Sequence, residues 1–383
     1  MTALEFPFRD THDDTLEGEY RSLQGSQELT RVRLPLGGEA WLACSYQHVR
    51  QILGDSRFSR AEAERRSLPR FSDAHLPETT LMAMPETRHA LVRRAIAPLF
   101  TPRRVEERRQ HIRELAEQLI GAFLGDELPG DLVPTIQQFT LGCIGILLDL
   151  NMATSRQIEQ LARGVLDAGV SDEEVWNDRG RSLEDAIANW LTDATSDTKS
   201  ALGSLAGSGL LTHEELIQFV RSVFLGGVGA PTSFLAGAVH AILTPTDNER
   251  YLVSSVHMPA LVNELLRYVP TGVTGFTRKA IEDVLVGETL VAAGEIVVPV
   301  GVAANRDAGA FDDPDSLDVT RKDQAHLAFG HGAHYCPGAY LSRVEAEEFL
   351  TVLARLAPDL RESTVEWAPG PLVRNVACLE VRL

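Results

Sequence analysis

The chain has 383 residues, 44% apolar and 23% charged, an ordinary globular balance with ample material for a core. Its net charge of −18 argues against a general nucleic-acid-binding surface, which needs positive charge. Cys44, Cys143, Cys336 and Cys378 are scattered with no CxxC pair, which fits a reducing compartment better than a secreted disulfide framework.

The opening MTALEFPFRDTHDD is charged and has no apolar stretch, so it predicts neither a signal peptide nor a membrane anchor, and a cytoplasmic location follows as the expectation. Residues 31–45, RVRLPLGGEAWLACS, predict two short strands around Gly37-Gly38. From about 86 to 243 the pattern is helical almost throughout. Thr101-Pro102 opens one helix, and Thr212-His213-Glu214-Glu215 is a capping-box start for a longer one. Running from 213 to 244, that helix would span ~48 Å at 1.5 Å per residue.

Its second half, SVFLGGVGAPTSFLAGAVHAIL (222–243), lacks Asp, Glu, Lys and Arg and has the length of a membrane span. Pro231, Ser222, Thr232, Ser233, His240 and four glycines favour a buried core helix instead. Residues 284–300 return to β-hairpin patterning. No repeat, low-complexity tract or linker divides the chain. The expectation is one domain over 1–383, mainly α with a small β region.

The stretch HLAFGHGAHYCPGAYLSR (326–343) then concentrates three histidines, a cysteine and three glycines. His331, His334 and Cys336 make a poor structural zinc site, because no paired cysteine or nearby carboxylate completes it. A nucleophilic cysteine would need a base, and a buried, chemically idle thiol is common. Gly330, Gly332 and Gly338 remain unexplained by those readings; they suggest a tightly turning backbone that a flat group can approach.

A haem iron held by a cysteine thiolate meets these requirements. Phe329, Gly332, His334, Cys336 and Gly338 match F-x-x-G-x-[R/H]-x-C-x-G, and the chain on this evidence resembles the cytochrome P-450 haem-thiolate monooxygenases. The resemblance implies a triangular, α-rich haem-binding domain with haem b as cofactor and Cys336 as the metal ligand. Backbone N–H groups beyond Pro337, beginning at Gly338, would donate to its sulfur. It places Phe329 and Gly330 against the cofactor, and His89, Arg93, Arg278 and His326 near the haem propionates, which require cationic donors when buried. Glu264 and Arg267 match the family's E-x-x-R pair, which steadies the loop leading to the haem, here resembled by residues 303–320. Any one of these residues alone reads more simply as a surface charge, a core histidine or a solvated helix contact.

The chain departs from the family in the long central helix, where [A/G]-G-x-[D/E]-T usually supplies an acid and an alcohol for proton delivery. Here the helix reads Gly226-Gly227-Val228-Gly229-Ala230-Pro231-Thr232, and both groups are lost in either register. Thr232 and Ser233 lie slightly too late to substitute directly, one residue being about 100° of rotation. Pro231 predicts a kink.

FPF, GEAWL, SY, RFS, GVGAPTSF and HLAFGHGAHYCPG further resemble the bacterial members that couple tyrosine- or tryptophan-containing cyclic dipeptides (diketopiperazines). That resemblance implies radical coupling of an aromatic substrate using dioxygen, with electrons from ferredoxin and ferredoxin reductase. Ala230, Phe276, Val373 and Arg374 would line the substrate pocket, Phe276 as a stacking wall. A regioselective hydroxylase and a non-catalytic recruitment module are the alternatives. The eight arginines between Arg88 and Arg113, net +6 against the global sign, predict a docking patch for an acidic electron donor, with Arg94, Arg103 and Arg104 as candidates.

Overall fold

A computed structural model describes residues 3–8, 18–65, 67–71, 76–126, 128–150, 152–167, 173–194, 200–244, 257–271, 276–321, 325–368 and 375–383. Helices dominate, with β structure set to one side. Between Glu86 and Leu243 the helices Glu86–Ile96, Pro102–Gly125, Val133–Leu148, Met152–Asp167, Glu173–Ala194, Ala201–Gly207, His213–Gly227 and Gly229–Leu243 follow one another, interrupted only by the two-residue strand Gly130–Asp131. Thr101 caps its helix by accepting from the Arg104 amide. The capping box at Thr212 is complete: its hydroxyl accepts from Glu215 N, and the Glu215 carboxylate accepts from Thr212 N.

The main sheet has six strands, in the order Leu4–Glu5, Thr30–Leu34, Gly38–Ala43, Ile296–Pro299, Arg278–Ala280 and Phe58–Ser59. Gly37 and Gly38 turn the second strand into the third with φ of +81° and +111°. A Cβ on Gly37 would stand 2.5 Å from the Leu68 carbonyl oxygen, so both conformation and space demand glycine. The 284–300 segment does not form one hairpin. Val284–Val286 and Thr289–Val291 pair with each other, while Ile296–Pro299 leaves to join Gly38–Ala43 and Arg278–Ala280. All four residues of that strand are buried, the pattern of a central strand.

The core runs between the Pro102–Gly125, Val133–Leu148, Gly229–Leu243, Met258–Tyr268 and Ala339–Leu356 helices. The apolar stretch His213–Leu243 is long enough to cross a membrane, yet more than half of its most apolar part lies inside the protein. It is not one continuous helix, because the regular structure breaks at Val228 (φ −106°, ψ −59°). Pro231 accounts for this: it offers no N–H to Gly227, four residues back, and its ring crowds that carbonyl. The helix resumes at once, with Thr232 N donating to Val228 O at 3.0 Å.

Candidate cysteine-centred site

Cys336 lies between a short 3-10 turn, Gly332–His334, and the Ala339–Leu356 helix. Its amide donates to Phe329 O at 2.9 Å, closing the loop on itself. Gly330 and Gly332 turn this loop with φ of +73° and +72°. The close approach at Gly332 is to protein rather than to a ligand, since a Cβ there would meet Leu53 O at 2.4 Å. That glycine seats the loop on the Tyr46–Gly54 helix. Burial pushes the Cys336 thiol up, and Glu345 adds to this; the Gly338 amide, bonded to the sulfur, pulls the other way together with Arg93 and Arg343. Gly338 thus stands where the sequence places the first donor.

Arg93, His89, His334, Arg278 and Arg60 gather in one cationic group. The His89 and His334 rings are 4.2 Å apart. Burial first, then the charges of His89, Arg278, Arg60 and Arg93, hold His334 down to about 3. Arg278 is buried and, among the described residues, donates only to the carbonyls of Phe276 (2.7 Å) and Thr277 (3.2 Å); burial and the neighbouring Arg60 bring it down to about 9. Arg93 donates to Tyr335 O. His89 Nε2 is buried without a partner among the described residues. His326 stands apart from this group. Its ring neighbours Phe329, Nδ1 accepts from Ala328 N, and burial with Arg343 and Arg267 nearby takes it down to about 4.

Glu264 and Arg267 form a buried bidentate pair, with Nε and Nη2 donating at 2.9 and 2.6 Å. Arg267 also donates to the carbonyls of Asn305, Pro314 and Ser316, while Glu264 accepts from Asp318 N and Arg321 Nε. The pair therefore fastens the 305–321 segment from within and is no solvated surface contact.

In the central helices, Gly226, Gly229 and Ala230 are exposed within an otherwise buried run. A Cβ on Gly226 or Gly229 would meet nothing within 4 Å. The nearby hydroxyls are engaged elsewhere: Thr232 Oγ1 pairs with Thr140 Oγ1 at 2.9 Å, and Ser233 donates to Gly229 O at 2.9 Å. Phe276 is 54% exposed. Val373 and Arg374 lie outside the described residues.

Most of the arginine run is internally neutralised. Arg88 pairs with Glu215, Arg103 with Glu107, Arg104 and Arg108 with Asp149, and Arg109 and Arg113 with Glu348. Arg94 is exposed with no ion pair among the described residues. Beside Cys336 opens a cavity of about 370 Å³ lined by Arg93, Phe100, Tyr335, Tyr340 and Arg343.

These residues fit haem b. One sulfur is prepared by an amide donor, and the buried Arg278 has no carboxylate partner among the described residues. No three His, Cys, Asp or Glu side chains converge among the described residues, so Cys336 is not part of a protein-only metal cage there and could offer an incoming group one sulfur donor. Sequence reading missed Arg60, and it did not place the His334 ring against His89; for Arg60 the only signal was its place directly after the RFS triplet.

A family model described as cytochrome P450 matches residues 256–356. Over 390 aligned residues the chain is 35% identical to the mycinamicin IV hydroxylase/epoxidase of Micromonospora griseorubida, covering 98% of each chain. It is 34% identical to the nocardicin C N-oxygenase of Nocardia uniformis subsp. tsuyamanensis, again over 98% of each. Among solved structures, the cytochrome P450mel 107F1, with biaryl coupling reactivity, superposes with a TM-score of 0.92 at 28% identity over the whole of both chains.

Proposed function

The chain belongs to the cytochrome P450 family, and on that premise we propose that it oxidatively couples an aromatic substrate, a tryptophan- or tyrosine-containing cyclic dipeptide, rather than inserting oxygen. At the coarser level it is a haem b-dependent P450 monooxygenase-type oxidoreductase of bacterial secondary metabolism, so the non-catalytic recruitment module is set aside.

Haem b, held by Cys336 Sγ, would supply dioxygen activation and one-electron abstraction. The protein's own share is positional. Gly338 N–H and the nearby arginines stabilise the thiolate, and Glu264–Arg267 holds the 305–321 segment. Arg93 and Arg278 offer the positive charge that propionates need, with the His89 and His334 rings beside them. Ferredoxin and ferredoxin reductase supply electrons in this reading, and Arg94 with the cavity beside Cys336 offers the contact surface.

The observation that carries the coupling reading is the bare helix face. With Gly229 and Ala230 in place of an acid and an alcohol, and the Thr232 and Ser233 hydroxyls bonded elsewhere, this stretch of helix offers no free acid or hydroxyl among the described residues. Coupling takes up the same two protons as hydroxylation, but an aromatic substrate with an O–H or N–H can itself supply a hydrogen there. A C–C bond forms, two ring hydrogens leave, and dioxygen with two electrons and two protons becomes two waters. The biaryl-coupling structural relative supports this reading. The hydroxylase reading draws on the two oxygenases at 35% and 34% identity.

Haem spectral titration across a panel of cyclic dipeptides identifies the substrate class. Turnover of the tightest binder under labelled dioxygen then decides between the readings. A coupled product free of label is expected, and one labelled oxygen atom in the product overturns coupling in favour of hydroxylation.

A further inference from the structure

Arg60 follows directly on the strand Phe58–Ser59, at the edge of the main sheet where that strand pairs with Arg278–Ala280. This pairing brings two arginines from distant parts of the chain to one place. Arg60 is 3% exposed and Arg278 4%. The Arg60 guanidinium lies over the Phe276 ring, 4.8 Å from its centroid, and the Phe276 carbonyl accepts from Arg278. Like charges placed so closely depress each other's affinity for the proton, and Arg60 is among the causes of the shifts at both Arg278 and His334.

The local counter-charge is short. Glu64 pairs with Arg60 Nη1, while Arg60 Nε makes no hydrogen bond among the described residues. Among the described residues Arg278 meets only carbonyl oxygens. Glu64 is paired with Arg60 and no carboxylate is paired with Arg278, while Arg93 is also nearby through His334. A buried guanidinium without a carboxylate is strongly unfavourable, and a planar fork of donors is suited to binding one. We propose that Arg60 and Arg278 form one buried carboxylate-binding pair, with Arg60 its second, unassigned cation. This rests on the haem reading for the position of Arg278. It commits to a carboxylate, which either a haem propionate or the substrate can supply.

The test uses the holoprotein with Arg60→Gln, Arg60→Lys and Glu64→Gln. If the carboxylate is the cofactor's, Arg60→Gln releases haem to apomyoglobin about tenfold faster, and Arg60→Lys restores part of the loss. The midpoint potential also falls, because a positive charge near the haem is gone. If it is the substrate's, haem release stays at the wild-type rate. Arg60→Gln then weakens spectral binding of indole-3-propionate about tenfold relative to its amide. Glu64→Gln removes the competing carboxylate while keeping both arginines. It slows haem release in the first case and tightens the acid probe in the second, so it decides the matter even where Arg60→Gln does not fold. Wild-type haem release, potential and acid-over-amide preference in all three variants overturn the proposal, while leaving the Cys336 assignment untouched.

Discussion

Glu264→Gln isolates the charge of one buried carboxylate without changing its shape. Glu264 and Arg267 are 4% and 3% exposed, so removing one partner leaves a guanidinium uncompensated in the interior, at about 3–5 kcal/mol. Arg321 also contacts Glu264 at 3.1 Å and loses its partner too, which favours the upper end of that range. Against a typical total of about 5–15 kcal/mol, this is a large fraction of the protein's stability. Arg267→Met differs in kind: it removes the donors to Asn305, Pro314 and Ser316, each bond contributing about 1 kcal/mol net. Because neither charge is then stranded, the double variant is expected to cost less than the sum of the single ones. Urea unfolding gives the free energies. Hydrogen exchange at the Asp318 amide, which donates to Glu264, reports whether the 305–321 segment loosens. A cost below ~1 kcal/mol for Glu264→Gln, with Asp318 protection intact, would show that the pair behaves as an ordinary surface contact and refute the argument.

Cys336→Ser is expected to abolish the thiolate-type absorption band of the reduced carbonyl complex, whereas Cys44→Ser, Cys143→Ser and Cys378→Ser keep it; survival of the band in the first variant would remove the ligand assignment. His326, held down to about 4 from 6.5 chiefly by burial, is neutral in the folded protein while the unfolded chain takes up a proton. Its contribution is therefore complete above pH 6.5 and is lost as the pH falls to about 4, amounting to about 3 kcal/mol. His326→Asn should flatten the stability–pH curve over that window, and an unchanged slope counts against the burial argument. Gly332→Ala combines φ +72° with a Cβ placed 2.4 Å from Leu53 O, so a loss of at least about 1–3 kcal/mol and a lower haem content are expected, both read by thermal unfolding with Soret absorbance.

What could be read from the sequence was local. The cysteine loop is a contiguous motif whose glycines and cysteine are chemically unusual together, and the E-x-x-R pair sits one helical turn apart, so both were visible in short windows. Charge pairing was not. Arg104 and Arg108 read as free charge until Asp149, 41 residues beyond Arg108, is brought against them. Arg60 went unnoticed, because its burial depends on Arg278–Ala280 pairing with Phe58–Ser59 across more than two hundred residues. Hydrophobic patterning fixed the strand character of 284–300, but whether a strand returns to its neighbour or joins another sheet is decided by tertiary pairing, and there the single hairpin failed. Gly332 was ascribed to an approaching flat ligand, when the group that comes close is the backbone of another helix.

The central helix is fixed from one side and bare on the other. Gly227 admits Ile144, whose Cδ1 lies 2.7 Å from where a Cβ would stand. Thr232 bonds Thr140 on that same Val133–Leu148 helix, so packing accounts for these two positions without reference to chemistry. Gly229 and Ala230 are different: they are exposed, and space at Gly229 would accept a side chain. Restoring the acid and alcohol as Gly229→Asp with Ala230→Thr therefore tests chemistry rather than folding. An acid in the first turn of the Gly229–Leu243 helix is favoured by the helix dipole by about 0.3–1 kcal/mol, so the melting temperature is expected to hold. Coupling is expected to fall nonetheless, because a charged and bulkier face enters space that two aromatic rings must share. Uncoupled peroxide is the discriminating readout. If the enzyme relies on its substrate for protons, the double variant reduces coupled product without reducing peroxide. A variant that instead converts peroxide loss into oxygen-labelled product, at an undiminished total rate, would show that the missing pair was the only thing separating this protein from a hydroxylase.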